Sequence, residues 1–175
     1  MNSFTHLDEH GQMHMVDVGD KPETVRRATA ACRVVVGPKV YPLLLAGQLP
    51  KGDVWAAARL AGIMAAKNTA QLIPLCHPLP LTGVEVEFIP EPEEWAVAIR
   101  VKVRTRARTG VEMEALTAAA VAALTIYDMC KAVDRGLRIT GLMLMEKSGG
   151  ASGEYHRDAA APENNLRRPE LSNGT

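Results

Sequence analysis

The sequence has 175 residues, enough for one domain with its own core. Its 20 basic and 20 acidic side chains give a formal net charge of zero, which argues against broad duplex-DNA binding, since that needs a positive field. Cys32, Cys76 and Cys130 are widely spaced, form no CxxC pair and point to a reducing compartment.

No apolar run reaches transmembrane length, and the polar start MNSFTHLDEH is not a signal peptide, so the expected location is the cytoplasm. Hydrophobic residues make up 47% but aromatics only 4%, so Ala, Val, Leu and Met must fill the core. Residues 1–23 are polar and read as an arm without a core of its own. His6, His10 and His14 recur in it every four residues; a metal site is one reading and incidental exposed histidines the other.

Thr24–Val36 can form a strand, with one alternate set of side chains becoming steadily apolar. Pro38–Ala46 reads as a short helix and Gln48–Gly52 as a loop carrying Lys51. Asp53 can cap a further helix running to about Lys67. The stretch TAQLIPLCHPLPL (69–81) holds Pro74, Pro78 and Pro80, which forbid a regular helix or a central strand. Its apolar residues imply a packed, proline-stiffened loop around Cys76 and His77. A zinc site there would need ligands that no second cluster supplies, and a satisfied core histidine is the bland reading of His77.

Gly83–Pro90 alternates Val84, Val86 and Phe88 with Glu85 and Glu87. After a turn at Pro90–Glu94, Trp95, Val97, Ile99, Val101 and Val103 face one way, and Arg100, Lys102, Arg104 and Arg106 the other. The pair reads as a hairpin with one buried face and an acidic row beside a basic one on the solvated face.

Thr109–Gly136 reads as one long helix. Thr109 and Glu112 fit a capping box, Glu112 and Glu114 lie in the first turn, Lys131 and Arg135 in the last, and Gly136 supplies the stop. Its alanine-rich middle is nearly bare of charge, which predicts burial on most sides. Asp128 and Lys131, three apart, share one face. They are either a solvated ion pair or a proton-transfer pair, a lysine positioned by a carboxylate.

Leu137–Lys147 is the last predicted strand, and Ser148–Gly150 can form a backbone cradle for an anion. The tail from His156 onward is polar and is expected to be disordered, leaving 1–155 as a single domain. The element order is the split βαβ plan: a four-stranded antiparallel sheet with two helices on one face. Its open face, in so apolar a chain, is expected to pack on another subunit.

The segments HMVDV (14–18), KGDV (51–54), LIPLCHPL (72–79), TGVEMEALTAAAVAALTIYDMCKAV (109–133) and KSGG (147–150) occur in that order. Together they resemble the cyclic pyranopterin monophosphate synthase family, the MoaC-type proteins of molybdenum cofactor biosynthesis. The likeness covers residues from about 5 to 155; the chain beyond Tyr155 is longer than the family needs.

The resemblance implies an α+β, ferredoxin-like fold and a homohexamer built as a trimer of dimers, with sites between subunits. It implies conversion of 3′,8-cyclo-7,8-dihydro-GTP to cyclic pyranopterin monophosphate with release of diphosphate. By the same resemblance Asp128 and Lys131 are the catalytic pair. Leu75, Cys76, His77, Met113 and Glu114 bind substrate. Lys51, Lys67, Lys147 and Arg26 match positive positions lining the pocket, and Asp17 and Glu112 match acidic ones.

These residue types suit that chemistry. A triphosphate calls for cations, and lysines serve as point charges. Opening and re-closing a purine-derived ring needs protons delivered and removed, work for a lysine–carboxylate pair. Glu112 and Glu114 can accept hydrogen bonds from guanine-type N–H groups. Attack of a hydroxyl on the α-phosphate expels diphosphate, which positive charge favours. The reaction needs no redox cofactor. Mg²⁺ can accompany the triphosphate, although no cage of carboxylates is evident. Neither nucleic acid nor membrane is an expected partner.

Two other classes fit the sequence: a metal-dependent hydrolase built on His77, Cys76 and the N-terminal histidines, and a non-catalytic nucleotide sensor on the same fold.

Overall fold

The computed structural model describes residues 10–151 and 153–157. His6, and the expected disorder from residue 158 onward, lie outside the described residues. Strands β1 (Thr24–Val35), β2 (Leu81–Glu91), β3 (Ala96–Ala107), β4 (Arg138–Ser148) and β5 (Tyr155–His156) form one antiparallel sheet in the order β2-β3-β1-β4-β5. Helices are α1 (Gly37–Leu45), α2 (Val54–Lys67), the single turn α3 (Thr69–Leu72) and α4 (Glu112–Cys130). The first four strands with α2 and α4 make the α+β ferredoxin-like plan.

β5 is an addition to the expected four strands. Tyr155 pairs with Lys147 and His156 with Glu146, and the Arg157 amide donates to Met145 O at 2.8 Å. The chain therefore stays on the sheet edge through Arg157 instead of leaving it at His156. Two residues of pairing give no periodicity for a sequence to reveal.

The alternation in β3 fixes the core. Val97, Ile99, Val101 and Val103 are buried, while Arg100, Lys102, Arg104 and Arg106 are exposed. Each such valine or isoleucine contributes about 1.5–3 kcal/mol by leaving water. On the opposite face Glu85 stands across from Lys102 and Glu87 from Arg100, with Arg100 Nη1 3.7 Å from Glu87 Oε2.

Trp95 departs from the expected buried row. It ends the turn Pro92–Glu94 with φ 48°, and its carbonyl accepts from Val36 N at 2.9 Å and Gly37 N at 3.0 Å. Serving that turn leaves its ring 45% exposed, edge-on to Tyr41.

α4 packs across β1, β3 and β4 and against α2. Ala115, Ala118, Ala119, Ala122 and Ala123 are fully buried, and small side chains let α2 come close. At Gly62 of α2 an added Cβ would lie 3.2 Å from Ala118 O. By length and composition α4 could cross a membrane, contrary to the expectation that no run was long enough. Ala115, Ala118, Ala119, Ala122, Ala123, Ile126, Met129 and Cys130 of α4 belong to this chain's own core, so most of its apolar face is spent on packing.

Both helix-end expectations for α4 fail. The N-cap is Val111 and no side chain caps it, because the helix begins at Glu112 and Thr109 lies two residues too early. At the other end Lys131 is the C-cap, and Gly136 instead donates its N–H to Asp134 Oδ1 in the following turn.

Candidate active site

The residues singled out by the sequence gather at two places, the two ends of α4. Glu112 and Asp128 stand sixteen residues apart on that helix, about 24 Å at about 1.5 Å per residue.

At the C-terminal end, Asp128 lies between two lysines. Lys131 Nζ is 2.5 Å from Asp128 Oδ1 and Lys51 Nζ is 2.7 Å from Oδ2. Lys51 also donates to the main-chain oxygen of Asp128 at 3.0 Å. Hydrogen bonds from Lys131 and then Lys51 hold the Asp128 pKa down at about 2. A carboxylate near a helix C-terminus is unfavourable against the dipole, and the paired cations offset it. All three side chains stay about half exposed, so the cluster is open to a ligand or to a neighbouring chain.

At the N-terminal end, the proline loop, the arm and the first turn of α4 enclose a cavity of about 370 Å³. Leu75, Cys76, His77, Glu112, Met113 and Glu114, all expected site residues, line it. His77 Nε2–H donates to Val16 O at 2.8 Å, which assigns the ring proton and leaves Nδ1 as an acceptor in the neutral ring. Glu114 is 4% exposed. Burial pushes its carboxyl pKa up, opposed by its own main-chain N–H and reinforced by the Glu112 charge. Burial, then the Glu114 charge, likewise raises the Cys76 thiol, so this cysteine is a poor nucleophile.

Two adjoining cavities share these walls. One of about 330 Å³ is bounded by Lys67, His77 and Glu114. The other, about 680 Å³, is bounded by Lys21, Arg26, Arg108, Lys147 and the Ser148–Gly150 loop, and shares Thr109, Gly110 and Glu112 with the first. Lys147 Nζ lies 3.8 Å from Glu112 Oε1. Gly149 and Gly150 have φ of 98° and 79°, which lets the loop turn tightly into the cavity.

Within one chain the three lysines expected to share an anion do not meet: Lys67 and Lys147 line the N-terminal cavities, whereas Lys51 joins Asp128. Asp17 is exposed, and its carboxylate accepts from Gly19 N at 2.7 Å, closing a local turn. Lys21 is a cavity residue that nothing in the sequence singled out; Arg108, the last of the arginine row Arg104–Arg108 and the alternative expected place for the phosphates, lines the cavity too. Among the described residues no three of His, Cys, Asp and Glu gather as a metal site.

Residues 15–150 match the MoaC family. The chain belongs to that family. Its similarity extends to curated MoaC-type relatives over nearly full length. A protein of Pelotomaculum thermopropionicum named cyclic pyranopterin monophosphate synthase is 57% identical over 157 residues, 90% of this chain and 92% of its own. Proteins of the same name from Thermomicrobium roseum and Chloroflexus aggregans are 58% and 53% identical, covering 90% and 92% of this chain and 95% and 98% of their own. The match to the MoaC family spans the arm from residue 15, the proline loop, all of α4 and the Ser148–Gly150 loop, and so both ends of the candidate site.

Proposed function

We infer that this chain makes cyclic pyranopterin monophosphate, the reaction its relatives are named for, from 3′,8-cyclo-7,8-dihydro-GTP with loss of diphosphate. The observation that carries this reading is identity of 53–58% to synthases of that name across about nine-tenths of the chain. The three joined cavities support it. Their cations suit phosphates, and the neighbouring carboxyls suit a guanine-type edge.

In this reading Lys147, Lys67 and Lys21 hold the phosphate chain, and the Gly149–Gly150 turn offers it main-chain N–H groups. Glu114, whose pKa burial raises, and Glu112 face a ring nitrogen, each able to accept from an N–H group. His77 offers Nδ1 as an acceptor. Lys131 transfers protons during ring opening and closure, and Asp128 holds it in place. A ribose-derived hydroxyl then attacks the α-phosphorus, its proton passes to a base, and the bond to diphosphate breaks.

Asp128 is about 24 Å along α4 from Glu112 in the cavity wall, and Lys131 about 28 Å, too far to serve a substrate held there by the same chain. We therefore assign each site to two chains, one giving the N-terminal end of α4 and the other its C-terminal end. A homohexamer built from dimers, working in the cytoplasm, fits this arrangement. Incubation with the cyclised dihydro-GTP tests the activity directly. A pterin product formed with stoichiometric diphosphate is expected; binding without turnover would make the chain a sensor instead.

A further inference from the structure

Two arginines near the phosphate side of the site spend their donors on the protein's own backbone. Arg26 Nε donates to Ala107 O at 3.4 Å, Nη1 to Gly149 O at 3.2 Å and Nη2 to Arg108 O at 3.3 Å. Arg108 in turn donates from Nη1 to Gly19 O at 2.7 Å. Four carbonyls from three chain segments are thus tied to two guanidinium groups: the arm at Gly19, the loop between β3 and α4, and the loop after β4. The partners are 81 to 123 residues apart in sequence, so no local structure would hold them together.

We propose that Arg26 and Arg108 form a staple that sets these three segments in place before substrate arrives. Arg26, expected among the positive residues lining the pocket, lines the cavity while its donors go to backbone carbonyls. The staple's role rests on the reading above that the segments bound the substrate site.

The chemistry favours arginine specifically. A guanidinium fork can reach several fixed acceptors at once, whereas a lysine offers one point charge. The three Arg26 bonds, 3.2–3.4 Å, lie at or beyond the usual long end for N–H···O bonds, so the hold comes from the set and not from one of them. The glycine loop is shaped around the fork. A Cβ on Gly150 would sit 1.6 Å from Arg26 Nη1, and one on Gly149 would sit 2.1 Å from Val25 O.

Arg108 carries the constraint onward. Its bond to Gly19 O pins the turn in which Gly19 N donates to Asp17 and Lys21 N donates to Val18 O. Lys21 is thereby aimed into the cavity by Arg108, which acts as a positioning residue.

The test is hydrogen–deuterium exchange on the substrate-free, full-length protein, with inorganic diphosphate as the binding probe. Arg26→Lys keeps the charge but loses the fork. It should speed exchange in peptides covering residues 107–113 and 147–151 without ligand. Arg108→Lys should do the same for residues 16–22. Gly150→Ala, which pushes Arg26 out with its charge intact, should reproduce the Arg26→Lys pattern.

Affinity for diphosphate should fall by about 5-fold or more in each variant, with kcat changing less than KM. Normal exchange in all three ligand-free variants would overturn the staple, even if activity were lost. Faster exchange with unchanged diphosphate affinity would uphold the staple and instead remove the phosphates from this cavity. A thermal melt on each variant identifies any that fail to fold; Gly150→Ala and the two arginine variants then stand in for one another.

Discussion

The two ends of α4 present carboxyl groups whose pKa values are shifted in opposite directions. Glu114, near the N-terminus, is buried with its pKa pushed up, whereas Asp128, near the C-terminus, is open, flanked by two lysines and held at about 2. Helix dipole alone would favour the reverse, since an acid is more easily ionised at an N-terminus. Burial at one end and paired cations at the other override it. The contrast is one of environment: burial raises the pKa at one end, and two lysines lower it at the other.

The largest expected effect comes from breaking the open end. Asp128→Ala and Lys131→Ala should each lower kcat by about 10²–10⁴-fold, the usual reach of acid–base catalysis, with thermal stability near that of the parent. Steady-state turnover with matched melting curves checks this. Retention of more than about a tenth of the rate, a barrier change under about 1.4 kcal/mol, would remove that residue from the chemistry.

Next in size is the cavity end. Lys67→Ala and Lys147→Ala should each weaken diphosphate binding by about 10-fold, and raising salt should weaken parental binding as well. Titration calorimetry at two ionic strengths reads both. Equal affinity in both variants, with no salt effect, would place the phosphates elsewhere.

The smallest effects are on stability against pH, and they have opposite signs at the two ends. Asp128 has a lowered pKa, so its contribution is present above the ordinary value of 3.8 and is lost as pH falls through about 2. Glu114 has a raised pKa, so its contribution is present at low pH and is lost as pH rises through the folded value. Asp128→Asn should flatten the acid side of the stability profile, and Glu114→Gln the alkaline side. Chemical denaturation at a series of pH values distinguishes them.

Much of this was legible before the structure, and for a physical reason. Strand alternation and helix amphipathicity are local, so β3, α2 and the alanine-rich run of α4 could be read directly from their periods. The prolines around Cys76 and His77 marked a stiffened loop that walls a cavity, but it is not packed as expected: none of residues 70–81 is buried, and Pro74, Pro78 and Pro80 are exposed.

What could not be read is tertiary. Lys51 meets Asp128 across 77 residues, and Arg26 reaches Gly149 across 123. No pattern in either segment encodes its partner. The capping box failed although its spacing was right, because the chain turns into α4 only at Glu112, whose carboxylate lies toward Lys147. The separation of the two ends of α4 was implicit in helix geometry, yet it gained meaning only once Lys51 proved to lie at the far end.

Complementation between inactive variants tests the shared site most directly. Lys131→Ala disables one end and Lys147→Ala impairs the other. The two proteins would be co-expressed with different tags, and the mixed oligomer purified on both. If each site takes one end of α4 from each of two chains, half of the sites in a mixed dimer are intact. Random pairing should then restore about a quarter of the parental rate at a substrate concentration where both variants alone are nearly inactive. Mixed oligomers that form but stay as inactive as their parents would contradict the account and return the whole site to a single chain.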